Sequence, residues 1–287
     1  EAPQRDYDSG VRLGTFRRAL AERVAALPML PDDPAVAWPP EAEPVIRWLQ
    51  EEYALDERSA RNAILYVRHQ LDAIGAISTD RTIIVETFND ALGDGRLVIH
   101  SCFGGKVNSA WALALAHALR ERVHGDVETQ ASDDGIIFRF LAADAEPPSA
   151  LVRALGPDEA RERLLAELPH SAVFGAQFRM NAARALLLPS VSGRRRTPFW
   201  LQRQRAKELL AVVRGFPDFP LIAETYRTCL TEVFDLEHLQ ELLAHIQEGR
   251  VRVVEVETVV PSPVATSLLF DQIAMQMYED DLPKAER

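Results

Sequence analysis

The segment from Arg194 to Lys207 is strongly basic, and its residue types suit contact with a nucleic acid. It reads RRRTPFWLQRQRAK, with six basic residues in fourteen positions and no acidic residue, whereas the whole chain of 287 residues carries a formal net charge of -11. Basic side chains attract phosphates and aromatic rings stack on bases, so the segment predicts a nucleic-acid contact. The alternative is a solvated helix face whose cations pair with acidic residues of the same chain.

A helix is expected to begin inside this segment. Thr197 can cap it, Pro198 suits its first turn, and apolar residues follow. At about 100° per residue, Trp200, Arg203, Lys207 and Arg214 fall on one narrow face, which could hold a line of phosphates and stack one base. The alternative for Trp200 is packing of the helix start against a neighbouring element. The candidate contacts in this segment are Trp200, Arg203 and Lys207, with the preceding Arg194, Arg195 and Arg196.

A second candidate site is the glycine pair in the sequence CFGGKVNSAW. Gly104 and Gly105 permit a ligand to approach the backbone closely. Lys106 then precedes a helix, where a bound phosphate would offset the unfavourable interaction of its charge with the helix dipole. Asn108 could cap this helix. Trp111 is either a core residue or a base-stacking residue, and its spacing alone favours the core.

A third segment, FGAQFRMNAARALLLP, is expected to form a buried helix through Phe174 and Phe178. Arg179 and Arg184 lie off its apolar stripe. They could add phosphate contacts, but pairing with the acidic surface of the chain is favoured, because exposed cations in an acidic protein usually find a carboxylate nearby.

Catalytic motifs are absent from the sequence. It contains no G-x-x-x-x-G-K-[ST] loop, G-x-S-x-G elbow, H-E-x-x-H helix or paired C-x-x-C motif. Asp133 and Asp134, next to a glycine, are expected in a hairpin turn rather than at a metal site. The chain is therefore predicted to have no catalytic residue, no metal site and no cofactor of its own.

Composition restricts the setting of the chain further. The proportions of 47% hydrophobic and 26% charged residues are ordinary for a globular protein, and no apolar run approaches the roughly 18 residues of a membrane span. Cys102 and Cys229 are far apart, which favours a reducing, cytoplasmic setting over a disulfide scaffold. The chain begins at Glu1 and shows no signal peptide, so we expect it to belong to a longer or processed protein.

The elements that must position these residues divide the chain into three segments of an α+β fold that is mainly helical. Residues 1–80 are predicted to be helical, and residues 81–148 are predicted to form a β-hairpin, a helix and a second β-hairpin. Residues 149–287 are predicted to be helical, with one strand at 251–259 that returns to the earlier sheet.

Seven segments of the sequence, taken in order, resemble the large helicase-related (Lhr) family of superfamily 2 helicases. They are STDRTIIVETFNDALGDGRLVIHS, HSCFGGKVNSAWALALAHALRER, ASDDGIIFRF, FGAQFRMNAARALLLP, GRRRTPFWLQRQRAKELL, FPLIAETYRTCLTEVFDL and VRVVEVETVVPSPVATSLLF. The resemblance covers about residues 45–287. It places them in the region that follows the two motor domains of that family, often called the DEAD/H-associated region.

The resemblance implies a fold and a function. It implies a winged-helix-like module in the helical residues 1–80 and a small antiparallel β-sheet or β-barrel module. It also implies an ATP-dependent, 3′-to-5′ single-strand DNA translocase in DNA repair, which unwinds duplexes including RNA–DNA hybrids.

Within such a helicase, the region in this chain would clamp the tracking strand, with Trp111 or Trp200 stacked on a base. ATP and Mg would bind the motor domains of the same parent protein, which are absent from this chain. The alternative is a scaffold region that docks a protein partner in repair.

Overall fold

The computed structural model describes residues 4–90, 93–123, 127–140, 148–188, 191–192, 195–216 and 218–270, with the backbone alone at 191–192 and 195–196. These residues form an α+β structure that is mainly helical, with one five-stranded sheet, as the sequence predicts. None of the helices in this part of the chain has both the length and the hydrophobicity needed to cross a bilayer.

Three helices form the first module. They are α1 (Tyr7–Val24), α2 (Glu43–Tyr53) and α3 (Glu57–Ile74). The predicted signals at both ends of α3 are confirmed, since the Asp56 side chain accepts a hydrogen bond from the Ser59 N–H and Gly75 ends the helix with a φ of 70°. Apolar side chains from the three helices form a core of their own, which includes Leu20, Leu49 and Ile64.

The winged-helix-like description of this module is not confirmed. A winged helix needs a β-hairpin beside its helices, but among the described residues no strand precedes Thr82. The module is instead closed by helix packing and by α1, whose Gly10 and Gly14 allow it to lie directly against Phe103 and Asp80.

The central sheet contains both predicted hairpins. Its strands are β1 (Thr82–Asn89), β2 (Gly95–His100), β3 (Val127–Ala131), β4 (Gly135–Phe140) and β7 (Arg252–Glu257), while β5 (Val191–Ser192) and β6 (Arg195–Arg196) form a separate short ladder. The predicted return of the late strand is confirmed, because β7 pairs with β1.

The sheet corrects two expectations about its type. The strand order is β3-β4-β2-β1-β7, and β7 runs parallel to β1, so the sheet is mixed rather than antiparallel. A parallel partner is possible because the long helical connection between β4 and β7 can carry the chain back to the opposite end of the sheet. In the described part of the chain the sheet also ends at β3 and β7, so these residues form an open sheet rather than a barrel.

The helices of the second half cover one face of the sheet. They are α4 (Gly105–Val123), α5 (Ala150–Ala154), α6 (Pro157–Glu167), α7 (Ala172–Arg184), α8 (Phe199–Val213), α9 (Pro220–Thr228) and α10 (Leu236–Gln247), and a π-turn (Cys229–Val233) extends α9. Side chains of the sheet, including Ile83 and Ile99, share one continuous core with these helices. This single core crosses the predicted boundary near residue 148.

A polar cluster holds the opposite face of the sheet against residues 258–265. The carboxylate of Glu86 accepts hydrogen bonds from the Thr258 hydroxyl (2.8 Å) and from the Ser262 N–H (2.8 Å) and hydroxyl (2.6 Å). His100 Nε2 lies 2.9 Å from Glu86 Oε2, and both side chains are fully buried. Gln70 of α3 donates to the Ser262 hydroxyl, so the cluster joins the helical module, the sheet and the segment after β7.

Candidate nucleic-acid interface

The start of α8 presents two aromatic side chains on the surface. Trp200 is 62% exposed and Phe199 is 59% exposed, which is unusual for large aromatic residues in a globular protein. Below them, the helix packs through Ala206, Leu210 and Val213, which are buried. Arg203 and Lys207 are also exposed, and they flank this buried face on the side that faces α7.

A basic groove lies beside these aromatic residues, between α7 and α8. It has a volume of about 430 Å³. Three of its lining residues are cations: Arg179 from α7, and Arg203 and Lys207 from α8. Its remaining lining residues are small or apolar, and they are Ala172, Gly175, Ala176, Ala206 and Leu210. The groove thus combines a basic rim with a floor that leaves room for a ligand.

The cations of this groove are close enough to interact unfavourably. Burial lowers the pKa of Arg179, and the charge of Arg203 lowers it further. Among the described residues, no carboxylate forms a salt bridge with Arg179 or Lys207, although the chain has 43 acidic residues against 32 basic ones. An anion bound in the groove would stabilise all three cations.

The structure brings together only part of the basic segment that the sequence singles out. Trp200, Arg203 and Lys207 lie on one exposed surface, as their spacing predicts. Arg194 lies outside the described residues, and of Arg195 and Arg196 the structure describes only the backbone, in the short strand β6.

The start of α8 differs from the prediction in its cap. Pro198 rather than Thr197 occupies the cap position, and no side chain of the described residues caps the helix. The Thr197 hydroxyl is buried and has no hydrogen-bond partner among the described residues. The first N–H groups of α8 therefore donate no hydrogen bond to a capping side chain of the described residues.

The glycine pair at Gly104 and Gly105 is not a ligand loop. Gly104 has a φ of 94°, and a Cβ atom there would lie 2.4 Å from the carbonyl oxygen of Arg5. The close approach that glycine permits is therefore made by the N-terminal segment of the chain itself. In addition, Asp133 Oδ1 accepts a hydrogen bond from the Gly105 N–H (2.8 Å), so a carboxylate of the protein already occupies the start of α4.

Two residues near this loop that were predicted to contact nucleic acid, Asn108 and Trp111, are buried in the protein. Asn108 is fully buried, because its side chain bonds the hydroxyl and carbonyl of Ser101 and the carbonyl of Ser132. Trp111 is 0% exposed and lies in the main core, so it cannot stack on a base. The α4 helix starts at Gly105 rather than near Ser109, and this buries its first turns.

Lys106 is half-buried at the start of α4, and its charge acts on the protein's own Asp6. Hydrogen bonds from Ser9 lower the pKa of Asp6, and the charges of Arg12 and Lys106 lower it further. A carboxylate of the chain itself thus lies near Lys106, where the sequence suggested a bound phosphate.

The turn residue Asp134 fastens the N-terminal segment to the sheet. Its carboxylate forms two hydrogen bonds with Arg5 (3.1 and 3.2 Å) and one with Arg17 (3.0 Å), which is buried. We expect Asp134→Ala to lower the free energy of unfolding by about 1–2 kcal/mol, since Arg17 loses its charged partner while Asp134 is itself partly screened by solvent. Urea unfolding at pH 7 measures the change.

The matched control for this variant is Glu162→Ala, which removes an exposed carboxylate of α6. If Asp134→Ala and Glu162→Ala lowered the free energy of unfolding equally, the hydrogen bonds of Asp134 with Arg5 and Arg17 would contribute nothing to stability.

Sequence reasoning did not single out Phe199, whose ring lies against Arg179 and Arg203 of the groove. It named Arg179 as a possible phosphate contact but favoured pairing with acidic residues. A signal for the groove is present, since Ala172, Gly175 and Ala176 are small residues spaced three or four apart on α7, which is typical of a helix face left open or closely approached. That pattern does not reveal which helix provides the other wall.

Comparison with known proteins identifies the group to which these features belong. A family model described as DEAD/H associated matches residues 77–265. The Lhr helicase/probable uracil glycosylase of Mycolicibacterium smegmatis is 46% identical over 221 residues, which cover 77% of this chain and 15% of that protein. The Lhr helicase/uracil glycosylase of Escherichia coli K12 is 39% identical over 240 residues, which cover 84% of this chain and 15% of that protein.

A solved structure matches most of the fold. The structure of Mycobacterium smegmatis helicase Lhr bound to ssDNA and AMP-PNP superposes with a TM-score of 0.81 at 38% identity, covering 94% of this chain and 32% of that chain. The chain therefore spans about 15% of the length of the two curated relatives and 32% of the solved one.

Proposed function

Because the chain belongs to the DEAD/H-associated family, we propose that it is an accessory region of an ATP-dependent DNA helicase of the Lhr type and holds the tracking single strand. The motor domains that would bind ATP and Mg and hydrolyse ATP belong, in this proposal, to the same parent protein. The sequence motifs and the relatives at 39–46% identity support the helicase assignment. The solved relative was bound to ssDNA, which supports the choice of ligand.

The observation that carries this proposal is the surface of α8. Exposed Trp200 lies on the same helix as Arg203 and Lys207, in a chain whose net charge is -11. Cations contact the phosphates of a strand without reading sequence, and an exposed ring stacks on any base. Such a surface would hold the strand while the motor domains step along it, and stacking would resist slippage.

Several finer parts of the function belong to the same proposal. They are 3′-to-5′ polarity, action on RNA–DNA hybrids and a role in DNA repair, all of which the family resemblance implies. A cytoplasmic setting is also proposed, and it is supported by Cys102 and Cys229, which are both free and buried.

Titration of a fluorescent single strand with the chain at several salt concentrations tests the proposal. We expect binding that weakens steeply with salt, because bound cations release counterions from the phosphates. Trp200→Ala should weaken binding by about 1–3 kcal/mol through lost stacking. Arg203→Ala/Lys207→Ala should make the salt dependence less steep.

The control for Trp200→Ala is Phe216→Ala, which removes an equally exposed ring three residues after the other end of α8. Equal losses in the two variants would contradict a specific role for Trp200. Absence of salt-sensitive binding by the wild-type chain would favour the alternative function, a scaffold that docks a protein partner in repair.

A further inference from the structure

The ring of Phe199 is contacted by two guanidinium groups. Arg179 Cζ lies 5.0 Å from the ring centroid, and Arg203 Cζ lies 5.1 Å from it. Both distances are within the range of about 6 Å over which an aromatic face attracts a cation. Phe199 therefore orients one arginine from α7 and one from α8, and its ring is already engaged by the protein.

Trp200 differs from its neighbour in this respect. Its side chain is 62% exposed, and in the described part of the chain no aromatic or cationic side chain lies over its ring. A base can stack on Trp200 without displacing any side chain, whereas on Phe199 it would compete with two guanidinium groups. The two adjacent aromatic residues are thus suited to different tasks.

The groove beside Phe199 favours a small anion over a base. Arg179, Arg203 and Lys207 line it together, and burial with the neighbouring Arg203 charge lowers the pKa of Arg179. A guanidinium pair can donate several hydrogen bonds to the oxygens of one phosphate, which also offsets the repulsion within the pair.

The floor of the groove leaves space for such an anion. Gly175 lies in the floor, and a Cβ atom added there would meet no atom within 4 Å. The backbone of a strand can therefore approach α7 closely at this position. The same open space means that a larger residue at position 175 can fill the groove without disturbing the core.

The geometry points to a phosphodiester site in the α7–α8 groove, in which Arg179 and Arg203, both oriented by Phe199, bind one phosphate of a single strand while Trp200 stacks on a base. This inference rests on the proposed function and deepens it by separating a backbone site from a base site on the same surface. Arg179 and Arg203 are the phosphate-binding residues, Lys207 adds charge, and Phe199 is a positioning residue.

Binding of two strands separates the two sites. One is an ordinary fluorescent single strand, and the other has abasic deoxyribose units in place of its central nucleosides. Arg179→Ala/Arg203→Ala and Gly175→Leu should each reduce the slope of log affinity against log salt by about 0.7 on both strands, which corresponds to one phosphate contact. Trp200→Ala should weaken binding of the ordinary strand by roughly 5- to 150-fold and leave the abasic strand almost unaffected.

Phe199→Leu tests the positioning role. It keeps an apolar side chain but removes the aromatic face, so we expect part of the slope change seen in the double arginine variant, and Phe199→Tyr should restore the wild-type slope. Arg161→Ala, which removes an exposed arginine of α6, is the control for charge alone. Circular dichroism of each variant verifies that it is folded.

The source of the phosphate is tested by competition. Inorganic phosphate at millimolar concentration should compete poorly with the abasic strand, because a single phosphate lacks the neighbouring contacts. If inorganic phosphate displaced the abasic strand at millimolar concentration, the groove would be a site for a free anion, and the inference would be overturned.

The inference would also be overturned if the groove variants and Arg161→Ala had the same slope of log affinity against log salt. In that case, salt-sensitive binding by the wild type would still support the proposed function. No binding of any strand by the wild type would contradict both.

Discussion

Trp111→Ala is expected to lower the free energy of unfolding by about 3–5 kcal/mol, because it removes a large buried side chain from the main core. The indole is 0% exposed and belongs to the main core, which also contains side chains of the sheet and of α6. Its removal leaves a cavity that the surrounding elements can only partly close. Urea unfolding followed by circular dichroism measures the loss.

The same variant separates a structural role from a DNA-binding one. Trp111→Phe should cost less, since it retains most of the buried area and removes the indole Nε1, which has no hydrogen-bond partner among the described residues. If Trp111→Ala kept wild-type stability and lost only strand binding, a structural role for Trp111 in the core would be contradicted. Base stacking by Trp111 would then be the better explanation.

Glu86→Ala is expected to lower the free energy of unfolding by about 3–5 kcal/mol, because it leaves a buried polar cluster without its central acceptor. Glu86 and His100 are both fully buried, with Glu86 Oε2 2.9 Å from His100 Nε2. Ser262 loses the acceptor of both its N–H and its hydroxyl group. The matched control is Glu257→Ala, which removes an exposed carboxylate of β7 and should cost less than about 0.5 kcal/mol.

The contribution of Glu86 should depend on pH in a defined direction. Burial alone would raise the pKa of Glu86, but the His100 ring nitrogen 2.9 Å away and the hydrogen bonds from Ser262 outweigh it and hold the pKa below its usual value. A carboxyl with a lowered folded-state pKa stabilises the fold above its unfolded pKa of about 4.3, and this stabilisation is lost as the pH falls through the folded-state value.

Urea unfolding of the wild type and Glu86→Ala at pH 7 and below pH 4 tests this direction. The difference in stability between the two proteins should be smaller at the lower pH. A difference that grew on acidification would contradict the assignment of Glu86 as the ionised acceptor of the cluster.

Local signals in the sequence were sufficient for most elements. Branched residues on either side of Gly93–Gly95 and of Asp134 predict the two hairpins, and Asp56 and Gly75 mark the ends of α3. These signals act between residues close in sequence, so they can be recognised without knowing what the element packs against. The exposed face of α8 with Trp200 was predicted for the same reason.

The errors concern contacts between residues that are distant in sequence. Gly104 looked like a residue that admits a ligand, yet the atom that approaches it is the carbonyl oxygen of Arg5. Trp111 shares a helical face with leucines, and spacing alone left both a core role and a stacking role open. Trp111 is buried because α6 and the sheet enclose α4, and this packing is not visible in the spacing along α4 alone.

The sequence by itself thus determined the helices, the hairpins, the family and the basic, aromatic character of the α8 surface. The tertiary structure decided that β7 joins the sheet in parallel, that Trp111 is a core residue, and that Arg179 and Arg203 meet at Phe199. The physical reason is that periodicity within an element defines its faces, whereas the neighbour of each face is set by packing across the whole chain. A groove with walls from α7 and α8 is a property of such packing.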